Sequence, residues 1–199
     1  MIFMGKLLNE QPRFYEFGFK YYYNTIRITP DIFEIALRTG DFSEKRNIHD
    51  YLALGDYPDW LEFPVIFHQF EGNKYRDALG MGCAMLTCVV SDRLKDILEK
   101  NQVTGWKIYP IVIYDKKENL ITGYNGFSIT GRGGHFEHSD MPGWTDKKPW
   151  KYNLSNWDGS DMFFIGGWSI VTERVKILLE SEKIDKAEFR PFSEFAEFV

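Results

Sequence analysis

His135-Phe136-Glu137-His138-Ser139-Asp140 places two imidazoles and two carboxylates within six residues, a group of potential metal ligands and proton carriers. Catalytic zinc signatures set a His pair at i, i+4 on a helix with a third ligand elsewhere. Here the His spacing is three and glycines stand at 131, 133 and 134, so a solvated, partner-contacting loop is expected and no metal. Gly131-Arg132-Gly133-Gly134 invites a phosphate loop, but no Lys-Ser or Lys-Thr follows and no capped helix opens after it, which leaves a flexible turn. No Gly-x-Ser-x-Gly elbow occurs, and Cys83 and Cys88 lie in no nucleophile motif. Carboxylates are abundant, yet no pair stands out as acid and base. His49 and His68 are isolated and read as structural. The expectation is a protein without catalytic residues and without a cofactor.

Binding chemistry is better represented. Trp144, Trp150 and Trp157 punctuate the polar stretch 131–159 beside Glu137, Asp140 and Asp146. Large rings that can be desolvated, rimmed by charge, are the mixture found at protein interfaces. Those six residues are the predicted partner-binding group. Core packing under the loop is the first reading of these rings; as a function, the alternative is a carbohydrate-binding protein or carbohydrate-active enzyme in which the same rings stack on sugar faces. The chain holds 17 Phe, 11 Tyr and 6 Trp, enough to furnish both a core and a surface. Its 24 Lys and Arg against 29 Asp and Glu give a net charge of −5. An acidic chain is poorly suited to nucleic acid or an anionic membrane, both of which need cationic contacts. No apolar run approaches the roughly 18–20 residues of a membrane span. With only two cysteines, 83 and 88, the expected compartment is the cytoplasm.

The elements that must position these residues are partly legible. Residues 14–29 read as one or two strands. Thr29-Pro30-Asp31 reads as a helix start capped by Thr29, with Ile32, Ile35, Ala36 and Leu37 as its apolar face and Gly40 as its stop. Residues 41–62 read as loop or irregular helix and 63–70 as a strand. A hairpin over 111–114 and 120–124, prolonged by 127–130, continues the strand before it.

Shifting the chain by 81 residues lays 77–110 over 158–191 without a gap, pairing Asp77 with Asp158 and Met81 with Met162. The closest match sets Val89-Val90-Ser91-Asp92-Arg93-Leu94-Lys95 on Ile170-Val171-Thr172-Glu173-Arg174-Val175-Lys176. Each copy reads as an extended run, a helix capped by Ser91 or Thr172, and a strand. One copy cannot bury its own helix stripe, so the two should share a core. Arg93 and Arg174 oppose the positive end of their helix dipoles, which implies partners elsewhere: a carboxylate, or backbone carbonyls of the facing copy.

The run Val90-Ser91-Asp92-Arg93-Leu94-Lys95-Asp96-Ile97-Leu98-Glu99, followed by Val103-Thr104-Gly105-Trp106-Lys107-Ile108-Tyr109-Pro110, resembles predicted immunity proteins of bacterial polymorphic toxin systems. Those proteins carry a V-S-[DE]-R-[LF]-K-x-x-L-E helix leading into a [LV]-T-G-[VW]-x-[FI]-x-P strand. The resemblance covers residues 77–115 well and 165–191 loosely; the second copy lacks the Thr-Gly pair. It implies a small protein that binds and silences a cognate toxin and has no chemistry of its own. The predicted fold is one α+β domain over 1–199, with a mixed or antiparallel sheet and a few helices. Its parts are an N-terminal strand–helix region (1–76), the first repeat with its hairpin (77–130), a Gly- and Trp-rich insertion (131–157) and the second repeat (158–199).

Overall fold

The computed structural model describes residues 12–21, 23–40, 43, 47–81, 88–137 and 149–199. In chain order the elements begin with β1 (Phe14–Phe19), β2 (Arg27–Pro30), α1 (Asp31–Thr39), α2 (Ile48–Leu54), β3 (Val65–Glu71), β4 (Gly80–Met81) and β5 (Val89–Ser91). There follow α3 (Asp92–Lys100), β6 (Trp106–Tyr109), β7 (Ile111–Tyr114), β8 (Leu120–Ile121), β9 (Tyr124–Ile129) and β10 (Gly131–Arg132). The rest are β11 (Trp150–Tyr152), β12 (Met162–Ile165), β13 (Trp168–Thr172), α4 (Glu173–Ser181), β14 (Ala187–Pro191) and β15 (Ala196–Phe198). The fold is α+β with mixed and antiparallel sheets. Among the described residues no helix is long and apolar enough to cross a membrane.

The two copies form matching units. In the first, β5 and β6 flank β9 in an antiparallel sheet; in the second, β13 and β14 flank β1. Ser91 pairs with Tyr124 and Trp106 with Ile129, while Thr172 pairs with Phe14 and Ala187 with Phe19. The loops repeat the match. The Asp92 N–H donates to Gly123 O and the Glu173 N–H to Arg13 O, both at 2.9 Å. Gln102 and Gly105 turn through φ of 50° and 82°, and Lys183 and Lys186 through 53° and 66°. Lys186 thus holds the left-handed turn that Gly105 makes freely, and the strand behind it forms without a Thr-Gly pair.

Each helix is built as its sequence dictates. Ser91 Oγ accepts the Leu94 N–H at 3.1 Å, capping α3, and Leu94 and Leu98 are buried along one stripe. On α4 the stripe is Val175 and Leu179. The Thr172 hydroxyl turns away from the first helical turn and donates to Asp161 Oδ1 at 3.2 Å, so the expected cap bond is replaced. The stripes meet in one central core with Val90, Val171, Phe127, Phe17, Val103 and Ile184, and burying each such side chain is worth about 1.5–3 kcal/mol.

The two arginines tie the units to each other. Arg93 donates to Asp77 Oδ2 at 2.7 Å and to the backbone carbonyl of Glu182, just past the end of α4. Arg174 donates to Asp161 Oδ2 at 2.7 Å and to the carbonyl of Asn101, just past the end of α3. Each guanidinium therefore reaches from the unfavourable end of its own helix to the negative end of the other. The aspartates close the ring: Asp77 also accepts the Asp185 N–H at 2.8 Å, and Asp161 the Thr104 N–H at 3.0 Å. Contacts that are reciprocal in this way define a two-fold relation between the units.

Several expectations are corrected. The repeat is not gapless: Asp161, not Asp158, is the counterpart of Asp77, and the bridge Ala78↔Val90 corresponds to Met162↔Val171. Three more residues separate the strands of the first unit, so the 81-residue shift holds only from Val89 onward. β1 is no part of a separate N-terminal region but the central strand of the second unit. Pro110 offers no N–H, and beyond it the chain leaves β6's sheet: β7 pairs with β8 as a hairpin, but alongside β3. Thr29 does not cap α1; Pro30 takes the N-cap position, and Thr29 is buried in β2 opposite His68. Ile35 and Leu37 are exposed, whereas Ile32 and Phe33 pack inward. Residues 48–54, read as loop or irregular helix, form α2, whose end carbonyls accept Arg132 (Leu54 O, 2.9 Å) and Lys107 (Gly55 O, 2.8 Å). Gly131 is no flexible turn: it lies in β10 beside β12, where a Cβ would strike the Met162 carbonyl.

Outside the shared core the units are roofed differently. The sheet β4-β2-β3-β7-β8 and α2 lie over the first, enclosing Ile28, Leu52, Phe67, Val89 and Tyr109. An aromatic layer of Phe14, Phe136, Tyr152, Phe163, Phe192 and Phe195 lies over the second.

Candidate functional site

The predicted partner-binding residues that fall within the described segments are Glu137, Trp150 and Trp157. Asp140, Trp144 and Asp146 lie outside them, as does His138. Glu137 is exposed, and its N–H donates to Lys151 O at 2.8 Å, which sets it beside Trp150. Trp150 begins β11, pairs with Ala196 of β15, and tilts its half-buried ring onto Phe136 at 5.4 Å. Trp157 stands edge-on to Phe14 at 4.9 Å and donates its ring N–H to Ser160 O at 2.9 Å. Both indoles therefore spend one side on the aromatic layer, and the structure brings Glu137 together with Trp150 rather than with Trp157. Beneath them the Tyr152 hydroxyl is buried with no hydrogen-bond partner among the described residues; burial, aided by the Asp158 charge, pushes its pKa up to about 12.

His135, the other imidazole of the loop, is exposed, and among the described residues no group of three His, Cys, Asp or Glu is placed to hold a metal ion.

A second surface lies on the outer face of the sheet that roofs the first unit. Val65 and Phe67 point into the core, while Ile66 and Phe70 point out and are 39% and 42% exposed. The strand register sets Val112 beside Ile66, Tyr114 beside His68, and Leu120 beside Tyr114; Leu120 is 62% exposed. At the centre of this apolar face His68 stacks on Tyr114 at 5.4 Å. Its Nε2 lies 3.1 Å from Asp31 Oδ1 and its Nδ1 4.0 Å from Glu118 Oε1. Ile35, exposed, stands one helical turn beyond Asp31 and extends the apolar surface onto α1. An imidazole between two carboxylates, set among aliphatic and aromatic side chains, suits a cationic side chain carried on an apolar partner surface.

Reading His68 as an isolated residue missed this face. The detectable signal was the strand itself: Val65-Ile66-Phe67-His68-Gln69-Phe70 carries apolar residues in both phases, where a strand with one solvated face would alternate. Comparison with models of known protein families and with curated proteins returned no match to this chain.

Proposed function

We propose that this chain is a non-catalytic binding protein, an immunity protein that holds and neutralises a cognate bacterial toxin. The observation that carries it is the apolar face on which Ile66, Phe70 and Leu120 are exposed and Tyr114 half-buried, around the Asp31–His68–Glu118 group. Contiguous exposed apolar surface of this kind marks protein interaction sites. The net charge of −5 agrees with it, since a toxin that cuts nucleic acid is basic and would be steered towards an acidic inhibitor. The carboxylates Glu137, Asp140 and Asp146 would act in that steering, while the apolar face would hold the complex once formed.

The test is co-expression with the product of the neighbouring gene, for which a toxin domain is the expected outcome, followed by measured association and dissociation rates. Changing Glu137, Asp140 and Asp146 together to Lys should slow association at low salt. Changing Phe70 and Leu120 together to Asp should speed dissociation and restore toxicity. Unaltered rates in both variants would remove the case for these surfaces. Quenching of tryptophan fluorescence by simple sugars, with no protein partner present, would move the function to carbohydrate recognition.

A further inference from the structure

We infer that the slot between β13 and β14 is a strand-acceptor site, that β1 is a donor strand held there in cis, and that an extended peptide with β1's aromatic pattern binds it in trans. The inference stands apart from toxin binding and rests on the paired architecture of the units.

The central strands β9 and β1 are structural counterparts. Phe127 opposite Ile108 matches Phe17 opposite Phe189, and the Thr130 N–H to Gly105 O matches the Lys20 N–H to Lys186 O, at 2.8 and 2.9 Å. They differ in where the chain supplies them. β9 follows β6 through the β7–β8 hairpin, so the first unit is closed by contiguous chain. The second unit is a frame of β13, α4 and β14 whose centre is filled by a strand from the opposite end of the sequence. On its C-terminal side β1 is joined to the rest through residues 20–24, which carry Tyr23 at 82% exposure.

The slot also has a ligand specificity. Phe17 is 5% exposed in the central core, its ring stacked on Phe189 at 5.7 Å, with Tyr15 and Phe19 on the same face. Phe14 points the other way into the aromatic layer, edge-on to Phe163 and Phe192 at 5.1 and 6.0 Å. The peptide it takes is extended, bonded along both edges, with aromatic side chains at the positions of Phe14, Phe17 and Phe19.

The geometry further allows the order of segments to be changed. Past β14 the chain returns to the start of β1, where the Phe198 and Phe14 rings lie 5.8 Å apart. A permuted full-length chain beginning at Tyr23, with Val199 joined directly to Met1, gives the second unit a following central strand as the first unit has. The eleven residues numbered 1–11 then join Val199 to Pro12, a length of chain that can span up to about 36 Å.

Two experiments test this. In the first, a protease site is inserted beside Tyr23 in the full-length chain and the native protein is cut. The pieces should co-elute with unchanged far-ultraviolet circular dichroism. After brief denaturation and refolding with excess labelled peptide of residues 12–21, the label should be incorporated. The same peptide carrying Phe17→Glu should bind at least about 100-fold more weakly, because it would bury a charge. In the second, the permuted chain should unfold cooperatively at a urea midpoint equal to or above that of the natural order. Separation of the fragment on cutting, equal uptake of the Phe17→Glu peptide, or a permutant without a cooperative transition would each overturn the inference.

Discussion

Replacing Arg93 or Arg174 with Met tests the two-fold relation directly, because the relation requires matched losses at two positions 81 residues apart. Each guanidinium makes one bond to a carboxylate and one to a carbonyl at the far end of the other helix. Charge-assisted bonds contribute about 1.5–3 kcal/mol where they are buried. These side chains are 48% and 51% exposed, so screening by water lowers the expected loss to about 1–2 kcal/mol per arginine. The aspartates are more enclosed, at 9% and 17% side-chain exposure. Removing Asp77 leaves the Arg93 cation, the Ser91 hydroxyl and the Asp185 N–H without their acceptor, and should cost about 3 kcal/mol. Urea unfolding followed by tryptophan fluorescence measures both. For a chain of this length, each kcal/mol corresponds to about 2–4 °C in Tm. R93M and R174M should agree within about 0.5 kcal/mol, and their effects should add, since the two clasps share no atoms. A difference above about 1.5 kcal/mol between them, or a D77A loss smaller than that of R93M, would refute the reasoning.

Three further outcomes follow from buried groups. Burial holds the His49 imidazole below its ordinary pKa of 6.5, against the opposing pull of Asp50, so the native state keeps it neutral while the unfolded chain takes up a proton. Stability should therefore fall as pH drops from 7 towards 5, and H49Q should flatten that slope in urea titrations; parallel curves would count against it. Burial, with a smaller push from the Asp50 charge, raises the Cys88 thiol to about 12. In a C83S chain it should resist Ellman's reagent at pH 8 until urea unfolds the protein, and fast native labelling would contradict this. Gly126 lies against the Tyr109 ring, whose hydroxyl donates to Cys88 O at 2.7 Å. G126A should lower stability by about 1–3 kcal/mol through overpacking, and a thermal midpoint equal to wild type would show that the ring can move aside.

What the sequence disclosed depended on how locally each feature is determined. Ser91 as a cap, the stripes Leu94/Leu98 and Val175/Leu179, and the turn that pairs 111–114 with Leu120 and Ile121 are set by neighbours within a few residues, and they were legible; the hairpin's expected extension over 124 and 127–130 instead forms β9 in another sheet. The partners of Arg93 and Arg174 were legible for a different reason: a cation kept at the wrong end of two helix dipoles needs a distant acceptor. The sheet membership of β1 was hidden, because nothing near Phe14–Phe19 says that it pairs with residues 170–172 and 187–191. Helix α2 was hidden too, since Ile48 and Leu52 are buried by the sheet above and Ala53 by the central core, not through any strong local signal. Of the predicted site, Trp150 and Trp157 lie half against the aromatic layer, which spacing along a loop cannot reveal. The face around His68 depends on β3, β7 and β8 coming into register, so no short window contains it.

The contrast between the two units bears on where recognition resides. Residues at the clasp and in the shared core correspond pair by pair: Arg93 with Arg174, Leu98 with Leu179, Phe127 with Phe17. Their outer faces do not correspond. Where the first unit sets Gly126, Ser128 and Tyr109 beneath α2 and Tyr57, the second sets Glu16, Gly18 and Arg190, with Glu16 and Arg190 paired at 2.6 Å. Two halves under one packing constraint keep the residues that join them, whereas the layers added outside are bound only by the need to cover a sheet. Those layers are where the halves differ, and both candidate surfaces lie on them. The His68 face belongs to the layer over the first unit, and Glu137 with Trp150 belongs to the layer over the second. Under the proposed binding function, specificity would be set by either roof while the clasp stays intact. Substitutions on the His68 face should therefore shift binding with little change in the unfolding midpoint, the reverse of what the arginine substitutions do.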